Sequence, residues 1–379
     1  MRRARARGAW AAALAAVLLS ATTASASGTI RVALTENVRA AELRGAGIDV
    51  VELGGCERCA RPARRASLVR ASVVNGAIEI DGRRAPAFRL TSERPIRFNG
   101  RDYPAVLDLI RNGDGLAVVN EVEFEEYLVG VLRAESSEKW PLEALRAQAI
   151  AARTYAAYHR LLSAAKPYHI VASTAHQQYF GRVPTSSPVW GAVRETAGQV
   201  LRWEGDVFPA FYHTESGGYT EDPRTVFAAR NMPGLKPVRC EFSAGSPHFY
   251  WSLDVRLAEL SETLRRHEVA VGSVTSISVT ERTPSLRAST VTVHGTRASA
   301  RLLGNDFRRM LGYDRFKSTL FAVAIDGEWA RFSGRGYGHG VGMCQWGAKG
   351  MAEAGYTARQ ILDFYYPGTT AGVLSERGQ

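Results

Sequence analysis

"VLRAESSEKWPLEALRAQAIAARTYAAYHR" (Val131–Arg160) places a glutamate, Glu135, between two stretches with helical hydrophobic spacing. Pro141, a residue suited to the first turn of a helix, precedes the second stretch. That second stretch is rich in alanine, so its helix can pack close to a neighbour. The apolar positions recur every three or four residues: Phe124, Leu128 and Val131, then Leu142, Leu145, Ala149, Ala152 and Ala156. The pattern predicts two packed helices with Glu135 in the turn between them.

Two explanations compete for Glu135. It is either a solvated loop carboxylate, as most glutamates in helical hairpins are, or a carboxyl group wedged between two helices and the indole of Trp140. In the second case the loss of water would raise its pKa, as a general acid at neutral pH requires. Glu138 is a rival, but it lies near the start of the next helix, where an acidic side chain is favourable for structural reasons.

Residues 1–26 have the composition of a secretory signal peptide. A basic start is followed by a short apolar run and a small-residue cleavage site at Ala24–Ala26. The apolar run is shorter than the roughly 20 residues that span a bilayer, although an uncleaved anchor is the alternative. We therefore expect a protein exported to the periplasm, cell wall or medium, beginning near Ser27 and without a stable transmembrane anchor.

The chain is basic, with a formal charge of +11 that cleavage after Ala26 would lower to +7 by removing four arginines. Such a protein is attracted to acidic polymers, including cell-wall glycan and nucleic acid. The arginines are scattered, and the sequence has no helix-turn-helix or RNA-binding motif, so we expect no nucleic-acid partner.

The chain has four cysteines, and an even count in an exported protein favours disulfides. Cys56 and Cys59 could form half of a zinc site, but no second CxxC or HxxxH accompanies them. A local disulfide is therefore favoured for this pair. The pairing of Cys240 with Cys344 stays open.

The distribution of patterns predicts an α+β protein. Residues 27–117 alternate short apolar runs with turn residues and read as strands and hairpins, the strongest turn being Asn112–Gly115. Residues 118–372 mix helices and strands, including a third helix that ends at Gly198. Residues 373–379 are expected to be a flexible tail.

Two further stretches concentrate polar side chains at glycine turns, "FYHTESGGYT" (Phe211–Thr220) and "GRGYGHGVGMCQWGAKG" (Gly334–Gly350). Each is either a sugar-binding element or a structural turn. Walker, dinucleotide, HExxH and GxSxG motifs are absent from the sequence. His213-x-Glu215 has the H-x-E form of zinc deaminases but lacks their P-C-x-x-C.

Taken together, these stretches resemble the SpoIID/LytB family of sporulation stage II protein D and the amidase enhancers. The matching text is "VNEVEFEEYLVGVLRAESSEKWPLEALRAQAIAARTYA", then "FYHTESGGYTED", then "GRGYGHGVGMCQWGAKGMAEAGYTARQILDFYYPGT". The three blocks cover about residues 115–370, in the family's order and approximate spacing. The resemblance implies a SpoIID-like fold, bacterial export and peptidoglycan as the partner.

The resemblance also implies a reaction. Family members of the sporulation type are similar to lytic transglycosylases, which cut between N-acetylmuramic acid and N-acetylglucosamine on glycan stripped of stem peptides. The family's acid follows "EYLxGV", which here is Glu135. Ordinary glycosidases use two carboxylates. A lytic transglycosylase can use one, because the muramic acid's own 6-hydroxyl closes a 1,6-anhydro ring.

The other site residues implied by the resemblance would line the groove and orient the sugar. They are Tyr212, His213, Ser216, Tyr337, His339 and Gln345. Some relatives carry a His/Cys cluster that could hold zinc. Here "YHIVASTAHQQYFG" keeps His169 and His176, but Val171 and Gln177 stand where thiolates would be needed. No metal and no other cofactor are therefore expected.

Two alternatives remain beside the transglycosylase. One is a non-catalytic enhancer that binds wall glycan and stimulates a partner amidase. The other is a zinc hydrolase using His213 and His339, for which the sequence offers no third ligand.

Overall fold

The computed structural model describes residues 28–54, 64–104, 106–227, 232 and 234–374. The expected signal peptide and the expected Cys56–Cys59 disulfide lie outside these residues. No helix in the described ranges is both long and apolar enough to cross a bilayer.

The N-terminal part forms an eleven-stranded sheet, which confirms the predicted β-rich region. Its strands are β1 (Thr29–Val38), β2 (Ala40–Leu53), β3 (Arg64–Val74), β4 (Ala77–Ile80), β5 (Arg83–Ala85), β6 (Ala87–Thr91), β7 (Ile96–Phe98), β8 (Arg101–Tyr103), β9 (Val106–Asn112), β10 (Gly115–Glu123) and β11 (Ile170–Val171). The main path runs β11-β1-β10-β9-β6-β2-β3-β4-β5. Of the strand pairs described in this sheet, only β1–β11 is parallel. The predicted turn joins β9 to β10, with Gly113 at φ 55°.

Three helices follow the sheet: α1 (Phe124–Glu135), α2 (Leu142–Leu162) and α3 (Val189–Glu195). The first two confirm the predicted helices, and α2 is buried on most of its faces, which explains its alanine content. The third ends three residues before Gly198, because Gly198 adopts φ 70° and the chain then enters a strand. One apolar cluster joins these helices to the N-terminal sheet, so the two regions share a core.

A buried ion pair fixes α1 against α2. The fully buried guanidinium of Arg153 donates to Glu125 through Nε (2.9 Å) and Nη2 (2.6 Å). Glu125 also accepts from the Gly198 N–H (3.2 Å), and Arg153 donates to the Gln199 carbonyl (3.2 Å). Removing one partner of such a pair typically costs about 3–5 kcal/mol, so this contact holds the helical turn in place.

The chain then returns through short elements: β12 (Gln199–Trp203), β13 (Asp206–Val207), β14 (Tyr212–His213) and α4 (Pro223–Phe227). Residues 250–335, which we call the inserted module, follow with a core of their own. The module contains β15 (Tyr250–Arg256), α5 (Leu257–Arg266), β16 (Val274–Arg282), β17 (Ala288–Gly295), β18 (Ser299–Leu303), α6 (Gly304–Leu311), β19 (Phe321–Asp326) and β20 (Trp329–Arg335).

The last elements return to the helices: β21 (Met343–Cys344), α7 (Gln345–Glu353), α8 (Ala358–Tyr365) and β22 (Thr370–Val373). Strand β22 pairs with β12, and the Leu374 N–H donates to the Gly198 carbonyl (2.9 Å). The expectation of a flexible tail from residue 373 is therefore wrong for Val373 and Leu374, because this pairing fixes them. Residues 375–379 lie outside the described part.

Candidate functional site

The second and third sequence blocks lie side by side. Strands β14 and β21 pair in parallel, with His213 opposite Cys344. Beyond them, Glu215 and Tyr337 exchange two backbone hydrogen bonds of 2.9 and 2.8 Å. The approach needs glycine, since a Cβ on Gly338, at φ 115°, would lie 2.8 Å from the His213 Cβ. Two stretches whose paired residues are more than 120 positions apart in the chain thus form one surface beside α7.

Glu135 is the last residue of α1, and Ser136 leaves the helix in an extended conformation (φ −135°, ψ 154°). Two other segments hold Glu135. Its Oε1 accepts a hydrogen bond from the Gln178 N–H (2.7 Å), and its main-chain carbonyl accepts one from Gln345 Nε2 (3.2 Å). The loop after α2 and the start of α7 therefore meet at this glutamate.

The surroundings of Glu135 favour its neutral form. Burial raises the pKa of the Glu135 carboxyl group, while the hydrogen bonds from Gln178 and Gln345 oppose that rise. The residue as a whole keeps partial exposure to solvent. A carboxyl group that is desolvated by its neighbours yet still reachable has the properties of a general acid.

A buried amide connects Tyr212 to the helices. Gln177 is fully buried; its Nε2 donates to the Tyr212 hydroxyl (2.9 Å), and its Oε1 accepts from the Tyr127 hydroxyl (2.9 Å). Burial raises the pKa of Tyr212 well above its usual range, and the negative charge of Glu135 adds to that rise, so the two groups lie within electrostatic reach of each other. In the sequence, Gln177 was notable only because it stands where a zinc site would need a thiolate. In the structure it positions Tyr212, a predicted groove residue, beside Glu135.

Two other carboxylates are less suited to act as the acid. Glu138, the rival in the same turn, is paired with Arg133 (3.4 Å) and accepts from the Ser187 hydroxyl. Glu215 also has a pKa raised by burial, but it has no exposed surface and accepts from Ser243 Oγ (2.7 Å). Glu135 is the member of this group that combines a raised pKa with access.

Two predicted groove residues lie inside the protein. His213 is 4% exposed, and its Nδ1 lies 3.1 Å from the Val341 carbonyl. Burial holds the pKa of His213 far below its usual range, so the ring is neutral. Ser216 has no exposed surface, and its main chain contacts Cys344 and Arg287. Neither side chain can line a groove in this conformation, and both support the β14–β21 junction instead.

The remaining predicted site residues differ in how deeply they are buried and in what they contact. Gln345 is 3% exposed and acts on Glu135 through its amide. Tyr337 is half-buried and donates its hydroxyl to Asp314 (3.1 Å). His339 is half-buried beside His213, with ring centroids 5.5 Å apart, and burial lowers its pKa to about 3. Among the described residues, no cluster of three or more His, Cys, Asp or Glu side chains could hold a metal ion.

The two histidines of the loop after α2 face other partners. His169 accepts from the Arg31 N–H (3.1 Å), and the His176 ring packs edge-on against His159 (4.8 Å between centroids). Val171 belongs to β11 and pairs with Ala33. This loop thus binds to the sheet and to α2, while its end delivers Gln177 and Gln178 to the site.

Cys240 and Cys344 are both buried free thiols. They lie close together, because hydrogen bonding to the Cys344 thiol lowers the pKa of Cys240 to about 6. Cys344 also caps α7, accepting from the Gly347 N–H (3.2 Å). Cys240 and Cys344 are therefore neighbours that are not joined by a disulfide in this structure.

A cavity of about 340 Å³ lies away from Glu135. It lies between α2, β12 and α8 and is lined by Arg146, Glu195, Leu201, Arg359 and other residues. Glu135 is not among the residues that line it.

Comparison with known proteins places this chain in a family. The family described as Stage II sporulation protein, SpoIID, matches residues 112–203, which include α1, Glu135 and α2. A stage II sporulation protein D of Bacillus subtilis is 30% identical, over 66% of this chain and 75% of its own. The chain belongs to the SpoIID/LytB family. This confirms the resemblance carried by the three sequence blocks.

Other family members extend the comparison. An uncharacterized protein of Brachyspira hyodysenteriae is 35% identical, over 71% of this chain and 72% of its own. An amidase enhancer of Bacillus subtilis is 32% identical, over 64% of this chain but only 40% of its own length. A family described as a domain of unknown function matches residues 240–342, which contain the whole inserted module.

Proposed function

We propose that this protein is an exported lytic transglycosylase that cleaves peptidoglycan strands in sporulation or cell-wall remodelling. The observation that carries the proposal is Glu135, a desolvated but reachable carboxyl group fixed by Gln178 and Gln345. The bond to be cut joins N-acetylmuramic acid to N-acetylglucosamine in strands whose stem peptides have been removed, called denuded strands below.

One carboxyl group is sufficient for this reaction. Protonated Glu135 gives its proton to the glycosidic oxygen, and the bond from that oxygen to C1 of the muramic acid breaks with its electrons going to the oxygen. The Glu135 carboxylate then takes the proton of the 6-hydroxyl, whose oxygen forms the new bond to C1. The product is a 1,6-anhydro ring, and no water is consumed.

The carboxylates near Glu135 support a one-carboxylate mechanism. Glu138 is engaged by Arg133 and Ser187, and Glu215 is sealed inside the protein. A second carboxylate, as in ordinary glycosidases, would have to reach the opposite face of the sugar. Tyr212, held beside Glu135 by Gln177, is a neutral group that orients the substrate in this proposal.

The test compares two isosteric variants in the same turn. Glu135→Gln should lower the cleavage of denuded strands by about a hundredfold to ten-thousandfold, because an amide cannot give up the proton. Glu138→Gln, its matched control, should change the rate only slightly. Release of anhydro-ended fragments is followed by mass spectrometry, and circular dichroism confirms folding. Wild-type cleavage rates in Glu135→Gln would place the acid elsewhere.

A second candidate function is a non-catalytic enhancer of a cell-wall amidase. The observation that favours it is the 32% identity to a protein named amidase enhancer. In this function the same groove would bind glycan without cutting it. Stimulation of an amidase on peptidoglycan by Glu135→Gln as effectively as by wild type, with no anhydro ends from either, would establish the second candidate over the first.

A further inference from the structure

A row of aromatic rings leads from the Glu135 turn to the border of the inserted module. Trp140 packs edge-on against Trp346 (5.5 Å between centroids), Trp346 against His248 (6.1 Å), and His248 against Tyr337 (5.6 Å). We call these four residues the aromatic row. Each of them is partly exposed, so the row is accessible as well as continuous.

The row starts at the proposed acid. Trp140 follows Glu135 in the same turn, and Trp346 is the neighbour of Gln345, which donates to Glu135. The main-chain N–H of Trp346 donates a hydrogen bond to the Thr214 carbonyl (3.2 Å). A strand bound at Glu135 would therefore continue over Trp346 toward His248 and Tyr337.

Two lysines stand over rings of this row. Lys349 follows Trp346 by three residues on α7 and thus shares its face of the helix. Its Nζ lies 5.3 Å from the Trp346 ring centroid and also pairs with Glu353 (2.5 Å). With 22% of its side chain exposed, Lys349 retains donors for a further partner.

Lys317 belongs to the inserted module. Its Nζ lies 5.5 Å from the Tyr337 ring centroid, and its carbonyl accepts from the Gly338 N–H (2.9 Å), which ties it to the glycine-rich segment. Burial lowers the pKa of His248, and the positive charge of Lys317 lowers it further, so His248 stays neutral beside the lysine. In the described part of the chain, no carboxylate pairs with Lys317.

We propose that the aromatic row is a glycan subsite and that Lys349 and Lys317 bind the free lactyl carboxylates of denuded strands. This inference rests on the proposed function for its substrate. When a stem peptide is removed from muramic acid, its lactyl group ends in a carboxylate, whereas a peptide-bearing muramic acid has a neutral amide at that atom. An ammonium group forms a hydrogen-bonded ion pair with the carboxylate, whereas the neutral amide can offer it only a carbonyl oxygen and no opposite charge.

The inserted module thereby acquires a role. It supplies Lys317, and the segments at its two ends supply His248 and Tyr337, so part of the proposed groove comes from the region that matches a domain of unknown function. The two lysines would distinguish denuded strands from peptide-bearing ones by charge. Trp140 and Trp346 would hold either kind of strand by apolar contact.

The experiment measures binding rather than cleavage, so it is independent of whether Glu135 is the acid. Denuded strands are divided, and one half is converted to the methylamide at its lactyl carboxylates with a carbodiimide and methylamine. Sedimentation with each kind of strand is measured for Glu135→Gln, for Glu135→Gln carrying Lys317→Gln and Lys349→Gln, and for a matched control carrying Lys166→Gln and Lys236→Gln. Lys166 and Lys236 are both exposed, and neither contacts the row.

We expect Glu135→Gln and the control to bind carboxylate strands about tenfold more tightly than methylamide strands, as two partly exposed ion pairs allow. The Lys317/Lys349 variant should bind both kinds equally, at the methylamide level. Trp346→Leu should weaken binding to both kinds alike. A preference for carboxylate strands that persists without the two lysines, or that is absent from Glu135→Gln, would overturn the proposal. If the wild-type protein cleaved neither kind of strand, that result would contradict the proposed function and leave the binding preference unaffected.

Discussion

At the scale of single residues, the site depends on a carboxyl group kept in an unfavourable environment. Burial raises the pKa of Glu135, so its charged form is less stable in the folded protein than in the unfolded chain. The contribution of such a group to stability is greatest below the pKa of a free glutamate. It is lost as the pH rises through the raised pKa of the folded state.

This sign predicts a stability effect that depends on pH. At neutral pH, Glu135→Gln should unfold at a higher temperature than wild type, because glutamine avoids the cost of a buried charge. The difference should shrink when the pH falls below the ordinary glutamate range. Thermal unfolding followed by circular dichroism at acid and neutral pH measures both.

Glu138→Gln is the control for this comparison. It removes an ion pair with Arg133 rather than a buried charge, so it should leave stability at neutral pH unchanged or lower it by up to about 1 kcal/mol. If Glu135→Gln proved less stable than wild type at neutral pH, the Glu135 carboxylate would be well accommodated when charged, and burial would not be raising its pKa.

At the residue scale, the sequence located Glu135 between two helices but did not predict its hydrogen-bond partners. Glu135 could be located because helical spacing and the family motif converge on it. Its partner on Oε1 could not, since a main-chain N–H such as that of Gln178 leaves no mark on sequence. His213 and Ser216 were expected in the groove because their types suit sugars, but their burial follows from the pairing of β14 with β21.

At the scale of elements, close packing of α7 is required for the site. Gly347 lies in α7, and a Cβ there would come within 2.6 Å of Cys240 Sγ and closer still to the Tyr365 hydroxyl. Cys240, Tyr365 and Cys344 are all buried, so no neighbour can move away freely. The glycine lets the helix start close enough for Gln345 to reach Glu135.

We predict that Gly347→Ala lowers the free energy of unfolding by about 1–3 kcal/mol, the usual cost of overpacking. Gly191→Ala is the matched control: it lies in α3, where a Cβ would meet nothing within 4 Å. The better helix propensity of alanine should make it neutral or more stable by up to about 1 kcal/mol. Urea titrations of both variants test the pair, and equal effects would contradict the packing described.

Hydrophobic periodicity predicted the strongest elements and failed at some of their ends. The spacing around Glu135 gave α1 and α2, and the Asn112–Gly115 turn gave the β9–β10 hairpin. The helix expected to reach Gly198 ends at Glu195, because residues 199–202 pair with β22, a strand far away in sequence. Local pattern contains no information about such a partner.

At the scale of the whole molecule, the described residues have separate apolar cores. One joins the N-terminal sheet to α1, α2 and α3, while another lies wholly within the inserted module. The sequence predicted a mixture of helices and strands in residues 118–372 but not that residues 250–335 form a core of their own. Periodicity identifies which faces are apolar and does not identify which faces meet.

The centre of the module core is Phe316, which is fully buried. Four rings surround it: Trp251 (4.9 Å between centroids), Phe307 (5.6 Å), Phe321 (4.8 Å) and Phe332 (5.1 Å). Phe316→Ala should cost about 3–5 kcal/mol within the module. Hydrogen exchange should therefore increase across residues 250–335 while α2 stays protected. An equal loss of protection in α2 would mean that the cores unfold as one unit.

In the proposed reaction, the protein cuts glycan without using water. The direct measurement is digestion of denuded strands by wild-type protein in water enriched in heavy oxygen, with mass spectrometry of the new ends. We expect 1,6-anhydro ends that carry no heavy oxygen, because the 6-hydroxyl of the muramic acid supplies the attacking atom. Reducing ends labelled with heavy oxygen would make the protein a hydrolase and would contradict the transglycosylase mechanism.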